Sequence, residues 1–169
     1  QKADKVITLI KSMSENLGIS NTIVSHGVDV HLFSPKDEVT LPNVQQKNII
    51  LCAGRVRKAK GHETLLDAAN VLKGHKDWAL VIVGKVDSPL FLEELKAIGK
   101  KNEIENQLYF MNETSESISD YQASKITVVP SFSEGFSLVT EEAMSCGCSV
   151  IATKNVGVHS SLISHCKNG

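Results

Sequence analysis

From residue 48 onward the chain alternates short, continuous apolar runs with segments whose apolar residues recur every three or four positions. Continuous apolar runs suit strands buried on both faces, and the intervening period suits helices that lie on those faces. Strands are predicted in this way at 48–53, 78–83, 107–111, 126–129 and 149–152. Between the first two lies a helix with Leu65, Ala68, Ala69 and Leu72 on its apolar face, ending near Gly74. A second helix follows Pro89 and carries Leu92, Leu95 and Ile98, with Gly99 as its expected terminator. A short helix capped by Ser115 or Ser117 runs through Tyr121 and Ala123. Another, with Leu138, Val139, Ala143 and Met144, stops at Gly147. Regular alternation of strand and helix predicts an α/β domain, a parallel sheet of about five or six strands between two helical layers.

The first 47 residues break this rhythm. Residues 5–10 read as a strand and 12–17 as a short helix, followed by a turn-rich passage through His26, Gly27, Val28, Asp29, Phe33, Ser34 and Pro35 that has neither period. The polar stretch 36–46, with Pro42, reads as a surface loop or short helix. Residues 1–35 are therefore expected to be the end of a preceding domain and a connection. Residues 36–169 are expected to form the main domain, truncated at its C-terminus because the closing turn of Lys167, Asn168 and Gly169 has nothing after it.

Charge and composition narrow the function. With 18 basic and 19 acidic residues the chain has no footprint for nucleic acid, so any anion site must be local. No apolar run approaches the roughly 20 residues of a membrane-spanning helix, and the first residues lack the order of a signal peptide, so a cytoplasmic location is expected. Cys52, Cys146, Cys148 and Cys166 lack paired ligand spacing, and the histidines form no HExxH. Reduced, buried thiols are expected, with no metal.

The richest chemistry follows the fourth strand. Ser131, Phe132, Ser133, Glu134 and Gly135 lead through small, turn-forming residues into a helix whose first N–H groups have no partner within it. Such an end favours an anion. Glu134 would repel a bare phosphate but can accept from hydroxyls, and Glu142, eight positions on, is expected on nearly the same helix face. Phosphates and hydroxyls together describe a nucleotide sugar. The plainer account of Glu134 is a favourable interaction with the helix dipole, about 0.3–1 kcal/mol. That account explains Glu142 poorly, since it lies in mid-helix, where Glu141 marks a polar face.

Arg55 and Lys60, in the glycine-bounded turn 54–61 at the carboxyl edge of the first strand, suit a diphosphate. Taken alone, a basic turn is more often only solvated. The turn matches neither GxxxxGK[ST] nor GxGxxG, which sets aside the P-loop and dinucleotide readings. His26 is weighed as a donor to a ligand against a packing role.

Read together, four groups of residues carry a resemblance that spans nearly the whole chain in order: Ile23 to Asp29 with Phe33 and Pro35; Gly54, Arg55, Lys60 and Gly61; Pro130, Ser131, Glu134, Gly135 and Phe136; and Glu142, Ala143 and Met144 before Gly147. They resemble the donor-binding domain of family 4 retaining glycosyltransferases of the GT-B fold. Within that family the stretches around His26 and Arg55 are most similar to bacterial enzymes that build the lipopolysaccharide core, mannosyltransferases among them. The resemblance implies a three-layer Rossmann-like domain, the C-terminal half of a GT-B fold.

The resemblance also implies roles. Arg55 and Lys60 would neutralise the donor diphosphate, and Glu134, completing the catalytic set, would hold hydroxyls of the transferred sugar. The leaving phosphate would rest on the N–H groups of Phe136, Ser137, Leu138 and Val139, beside Gly54 and Gly135. Glu142 would bind the ribose, and the base would lie near Phe110, Met111 and Asn112. The implied reaction is retaining transfer from GDP-mannose or a UDP-sugar to a glycan or lipopolysaccharide core acceptor, without a cofactor or metal, the departing charge being met by cations and a helix dipole. The acceptor would belong to an N-terminal domain of which residues 1–17 hold at most the last strand and helix. The chain alone is expected to be inactive, and the full-length protein to associate peripherally with the inner face of the membrane. Two departures from the family pattern stand out: Ser137 occupies a frequent glycine position, and the run from Val156 to Ser161 lacks a second glycine and an acidic residue. Alternatives are a non-catalytic nucleotide-sugar-binding module and a sugar-nucleotide epimerase, for which no catalytic acids are identifiable.

Overall fold

The computed structural model describes residues 5–18, 20–113 and 117–168. Five strands form the main sheet: β3 (Asn48–Ala53), β4 (Trp78–Val83), β5 (Leu108–Met111), β6 (Ile126–Val129) and β7 (Ser149–Ala152). They are parallel, in the order β5-β4-β3-β6-β7. Two strands precede them, β1 (Ile7–Thr8) and β2 (Thr22–Ile23), paired with each other as a separate parallel ribbon around α1 (Lys11–Leu17). The strand predicted over 5–10 is therefore confined to two residues, and β2 lies between the predicted short helix and the turn-rich passage, where no strand was predicted. At two residues, β2 is too short to show a period of its own.

The helices divide between the sheet faces. On one face α2 (His62–Ala68) and α3 (Pro89–Lys101) cover Cys52, Leu80 and Ile82, with Leu65, Leu66, Leu72, Phe91 and Leu95 buried among them. On the other, α4 (Ser117–Gln122) and α5 (Leu138–Ser145) cover Ile49, Leu51, Val81 and Val150 through Tyr121, Ala143 and Cys146. Alternate residues of β3 and β4 thus enter opposite cores, as a strand's period of two requires. Each fully buried aliphatic side chain contributes about 1.5–3 kcal/mol. A last short helix, α6 (His159–Leu162), follows β7.

Several local expectations are corrected. Ala68 is exposed and Leu66 takes its place in the core, because α2 tightens into a 3-10 segment at Ala69–Gly74 and the apolar stripe shifts with the period. Gly99 does not end α3; it is buried inside the helix, where a Cβ would lie 2.5 Å from Leu108 Cδ2, so its missing side chain lets β5 approach. At the start of α3, Ser88 Oγ accepts from Phe91 N–H at 3.3 Å ahead of Pro89, a capping arrangement. Ser117 lies within α4 instead of capping it, and Ser115 falls outside the described residues. The 36–46 loop is anchored by Leu41, which is buried with Ile49 and Leu51. Cys52, Cys146 and Cys148 are buried free thiols, whereas Cys166 is exposed.

Gln107, predicted to start a strand, instead closes a 3-10 turn and is buried. Its Nε2 donates to the carbonyls of Leu72, His75 and Trp78 at 3.0, 2.8 and 2.9 Å, tying three segments together. Gln107→Leu would remove this shared donor, leaving Leu72 O and His75 O with the N–H groups of His75 and Trp78, and a loss of about 2–3 kcal/mol in chemical denaturation is expected. A loss under about 0.5 kcal/mol would show that the bonds contribute little.

One topological feature positions the candidate site. The chain builds outward from β3 to β4 and β5, then returns to the other side of β3 with β6 and β7. The loops after β3 and β6 are therefore neighbours at the point where the strand order reverses, where open α/β sheets bind ligands.

Candidate functional site

The loop after β3 holds Gly54, Arg55 and a 3-10 turn, Lys58–Lys60, which ends at Gly61. The loop after β6 runs from Pro130 to Ser137 and enters α5. Phe132 N–H donates to Ala59 O at 3.0 Å, and Gly61 lies so close to Pro130 that a Cβ would sit 2.1 Å from its carbonyl oxygen. This backbone contact brings Lys60 Nζ to 2.6 Å from Glu134 Oε1, with the two side chains only 18% and 13% exposed. Ser131 Oγ donates to the same oxygen at 2.6 Å. No described residue donates to the other oxygen, Oε2, so the carboxylate is held from one side and open on the other.

Glu142 repeats this arrangement. Tyr121 Oη donates to its Oε2 at 2.7 Å, and no described residue donates to Oε1. Burial and the neighbouring carboxylate push the Tyr121 phenol well up, so it remains a donor. The two glutamates do not share a helix face, as their spacing had suggested. Glu134 lies in the loop, because α5 begins only at Leu138 after Ser137 adopts a left-handed φ of 92°.

Ser137 also shapes the start of α5. Its Oγ and Thr140 Oγ1 are 2.9 Å apart, and its carbonyl accepts from Thr140 N–H. Among the described residues, no carbonyl accepts from the N–H groups of Phe136, Ser137, Leu138 or Val139. These donors, with the positive end of the α5 dipole, can accommodate an anion. Phe136 is held from behind, its carbonyl accepting from Val158 N–H at 2.9 Å while Gly157 packs against it.

Two hollows have Val139 in their linings. One, of about 310 Å³, is lined by Leu9, His26, Lys60, Glu134, Phe136, Ser137, Leu138 and Val139. The other, of about 230 Å³, is bounded by Ala53, Gly54, Arg55, Val83, Gly84, Glu113, Ser117, Asp120, Tyr121 and Val139. Of the residues singled out from the sequence, Lys60, Glu134 and Phe136 to Val139 share the first hollow, and Gly54 and Arg55 the second. Gly135 and Glu142 line neither, although Glu142 is bonded to Tyr121 at the wall of the second. Glu113, next in sequence to Phe110, Met111 and Asn112, borders the second hollow. Leu138, predicted to give its N–H to the leaving phosphate, is 42% exposed where it borders the first. His26 both lines that hollow and packs edge-on against Phe136, with ring centroids 5.2 Å apart.

The ionic partners differ in strength. Arg55 Nε lies 3.4 Å from Asp87 Oδ1 with its side chain 53% exposed, a pair worth under about 1 kcal/mol and easily redirected. Lys60 and Glu134, partly buried and short, are held harder. Glu141, read as part of a polar face, is half-buried; its Oε2 has no partner among the described residues, and burial raises its pKa while the His26 charge opposes the rise. Cys52 is pushed up to about 12 by burial against the pull of Lys60, so its thiol stays protonated.

Ser131, Tyr121, Asp87 and Asp120 were missed. Ser131 and Asp87 carried a signal, since each follows a strand at its carboxyl end; the roles of Tyr121 and Asp120 depend on the packing of α4. Asp120, 6% exposed, is pushed up by burial to about 6 from 3.8. A raised carboxyl pKa gives a stabilising contribution that is complete below pH 3.8 and lost as pH rises through about 6. Above that the buried charge costs about 1–2 kcal/mol. Asp120→Asn is expected to raise the melting temperature by about 2–8 °C at pH 8 and by little at pH 4. An equal gain at both pH values would show that burial of charge is not the cause.

Residues 33–169 match the family described as glycosyl transferases group 1. The chain belongs to that family. The lipopolysaccharide core biosynthesis mannosyltransferase LpsB of Rhizobium meliloti is 31% identical to this glycosyl transferases group 1 chain over 171 residues, 96% of the chain and 48% of LpsB. The chain spans about half the length of the curated relatives it matches. The crystal structure of the C-terminal domain of the group 1 protein LpcC from Francisella tularensis is 33% identical, with a TM-score of 0.71, covering 82% of this chain and 76% of that one. HepE from Anabaena, solved in complex with UDP and glucose, shares the fold at 21% identity with a TM-score of 0.81, over 96% of this chain and 47% of HepE. The fold is that of the C-terminal half of a GT-B glycosyltransferase. Among the described residues no helix is long and apolar enough to cross a membrane.

Proposed function

We propose that this chain is the donor-binding half of a retaining hexosyltransferase that takes a nucleotide-diphosphate sugar, GDP-mannose or a UDP-sugar, and transfers its sugar to a glycan or lipopolysaccharide core acceptor. The observation that carries this reading is the placement of Lys60 and Glu134 in one hollow with the free N–H groups at the start of α5. Cation, backbone donors and a carboxylate with one open oxygen match phosphates next to sugar hydroxyls.

On this reading Lys60 and Arg55 hold the diphosphate, the α5 N–H groups take the leaving phosphate, and Glu134 Oε2 accepts from the transferred sugar. Gly54 and Gly135 let backbone approach the donor, and Glu142 Oε1 accepts from the ribose. Charge that develops on the leaving diphosphate is met by groups already in place, so no metal is required by the proposal. The likeness to LpsB supports the acceptor class, and the UDP bound by HepE supports the donor class. An upstream domain would hold the acceptor, with residues 1–35 as its end and linker, and the separated half would not turn over. The enzyme would work in the cytoplasm against the inner membrane face.

Thermal unfolding with added GDP-mannose, UDP-sugars, GDP and UDP tests the donor reading. A ligand at 100 times its Kd stabilises by about 2.7 kcal/mol, or roughly 5–10 °C for a domain of this size. No shift with any of them, at millimolar concentration and with or without a chelator, would remove the proposal.

A further inference from the structure

The second hollow contains a carboxylate that the reading above does not use. Asp120 lines it from α4 and is 6% exposed, yet no described residue donates to its carboxyl group. Its own backbone carbonyl accepts from Ser124 Oγ at 2.6 Å. The adjacent Tyr121 hydroxyl is committed to Glu142, and the cation on the hollow, Arg55, is turned to Asp87. A buried carboxylate bordering open space without a donor is costly unless a ligand completes it. Burial accordingly pushes its pKa up to about 6 in the free chain, so at neutral pH it is an ionised acceptor.

The hollow's position says which part of a donor reaches it. Lys60, Glu134 and the free N–H groups of α5 border the neighbouring hollow, and Val139 lines both. A nucleotide with its diphosphate over α5 would turn its base toward the carboxyl ends of β3 and β4, against Ala53, Val83 and Asp120. Glu113 adds a second acceptor to that wall, and Ser117 a hydroxyl.

Resting on the nucleotide-sugar reading, we propose that Asp120 selects the donor's base and that the base is guanine, its ring N1–H and exocyclic amine both donating to the Asp120 carboxylate, with Glu113 as an outer acceptor. An ionised carboxylate only accepts, so it matches an edge that offers two adjacent donors. Guanine has such an edge. Uracil presents a single N–H between two carbonyl oxygens, so one carboxylate oxygen would face a carbonyl. Adenine sets its amine beside a ring nitrogen that is itself an acceptor. A buried acceptor left without its donor discriminates strongly against the analogue that lacks it.

Calorimetric titration of the 169-residue chain with the diphosphates of guanosine, inosine, uridine and adenosine tests the assignment. GDP is expected to bind roughly 10- to 100-fold tighter than UDP or ADP, a range typical of one bidentate base contact. Inosine diphosphate, which keeps N1–H but lacks the amine, is expected between GDP and UDP. Asp120→Asn offers one acceptor and turns an amide donor toward the base; it should weaken GDP at least about tenfold and leave UDP within about threefold. The comparison of GDP with inosine diphosphate needs no variant, so it holds even if Asp120→Asn folds poorly.

Equal binding of GDP and UDP, or tighter binding of UDP or ADP, overturns the assignment to guanine. A GDP preference that survives unchanged in a folded Asp120→Asn overturns the role of Asp120. If all four diphosphates bind equally and Lys60→Ala weakens them together, the diphosphate site stands and only this inference falls. If none binds, both readings fall.

Discussion

Lys60→Ala is expected to weaken nucleotide-sugar binding by roughly 100-fold or more and to erase the donor-induced rise in melting temperature. Truncating one member of a desolvated, hydrogen-bonded charge pair costs about 2–5 kcal/mol, at 1.4 kcal/mol per tenfold. Paired with a donor diphosphate, Lys60 would be such a member, since its side chain is 18% exposed and its ammonium, held at 2.6 Å by Glu134, lies beside the free N–H groups of α5. Arg55 is more than half exposed and loosely paired, so Arg55→Ala should cost closer to tenfold. Lys60→Ala also leaves Glu134 with Ser131 as its remaining donor, which could by itself disturb the loop. Adding Glu134→Gln removes that stranded charge. If the double variant recovers wild-type binding, Lys60 serves only to neutralise Glu134 and the diphosphate role is wrong. The expected result is no recovery in direct titration.

The second large effect is on the frame that holds this pair. Gly61→Ala should lower stability by more than about 4 kcal/mol, or roughly 8–16 °C in melting temperature. Gly61 has a φ of 70°, which disfavours a side chain, and a Cβ there would lie 2.1 Å from Pro130 O and 2.9 Å from its carbonyl carbon. Both obstacles are backbone, so no rotamer change relieves them. The only escape is to move the loop after β3 away from the loop after β6, which would also part Lys60 from Glu134. Loss of nucleotide binding should therefore accompany the loss of stability. Gly74→Ala is the control: nothing lies within 4 Å of its would-be Cβ, and a change within about 1 kcal/mol is expected. A Gly61→Ala protein melting within about 2 °C of wild type would mean that the loop contact yields easily.

The parts of the fold visible in the sequence were those that repeat locally. The apolar runs in β3 and β4 were legible because helices cover both faces, so every position after Asn48 at the start of β3 is apolar. The glycine-bounded turn carrying Arg55 and Lys60, and the entry into α5, were legible because strand ends and helix starts leave characteristic small residues. Errors arose where one local rule gave way to another. The apolar face of α2 shifted where the helix tightened after Ala68, and Gly99 served close packing against Leu108 in place of a helix stop. Ser137 deceived most: a spacing of eight implies a shared face only along an unbroken helix, and its left-handed backbone starts α5 too late to include Glu134.

By itself, then, the sequence determined the alternation of elements, their two-sided burial and the candidate charged groups, because burial on a repeating backbone writes a period into neighbouring residues. Only the tertiary structure decided which of those groups meet. Lys60 and Glu134 are 74 residues apart and touch because β6 returns to the side of β3, and a local period carries no information about strand order. The partners of Arg55 and Glu142, and the burial of Asp120 without a donor among the described residues, follow from the same packing of distant loops and helices around the switch in the sheet.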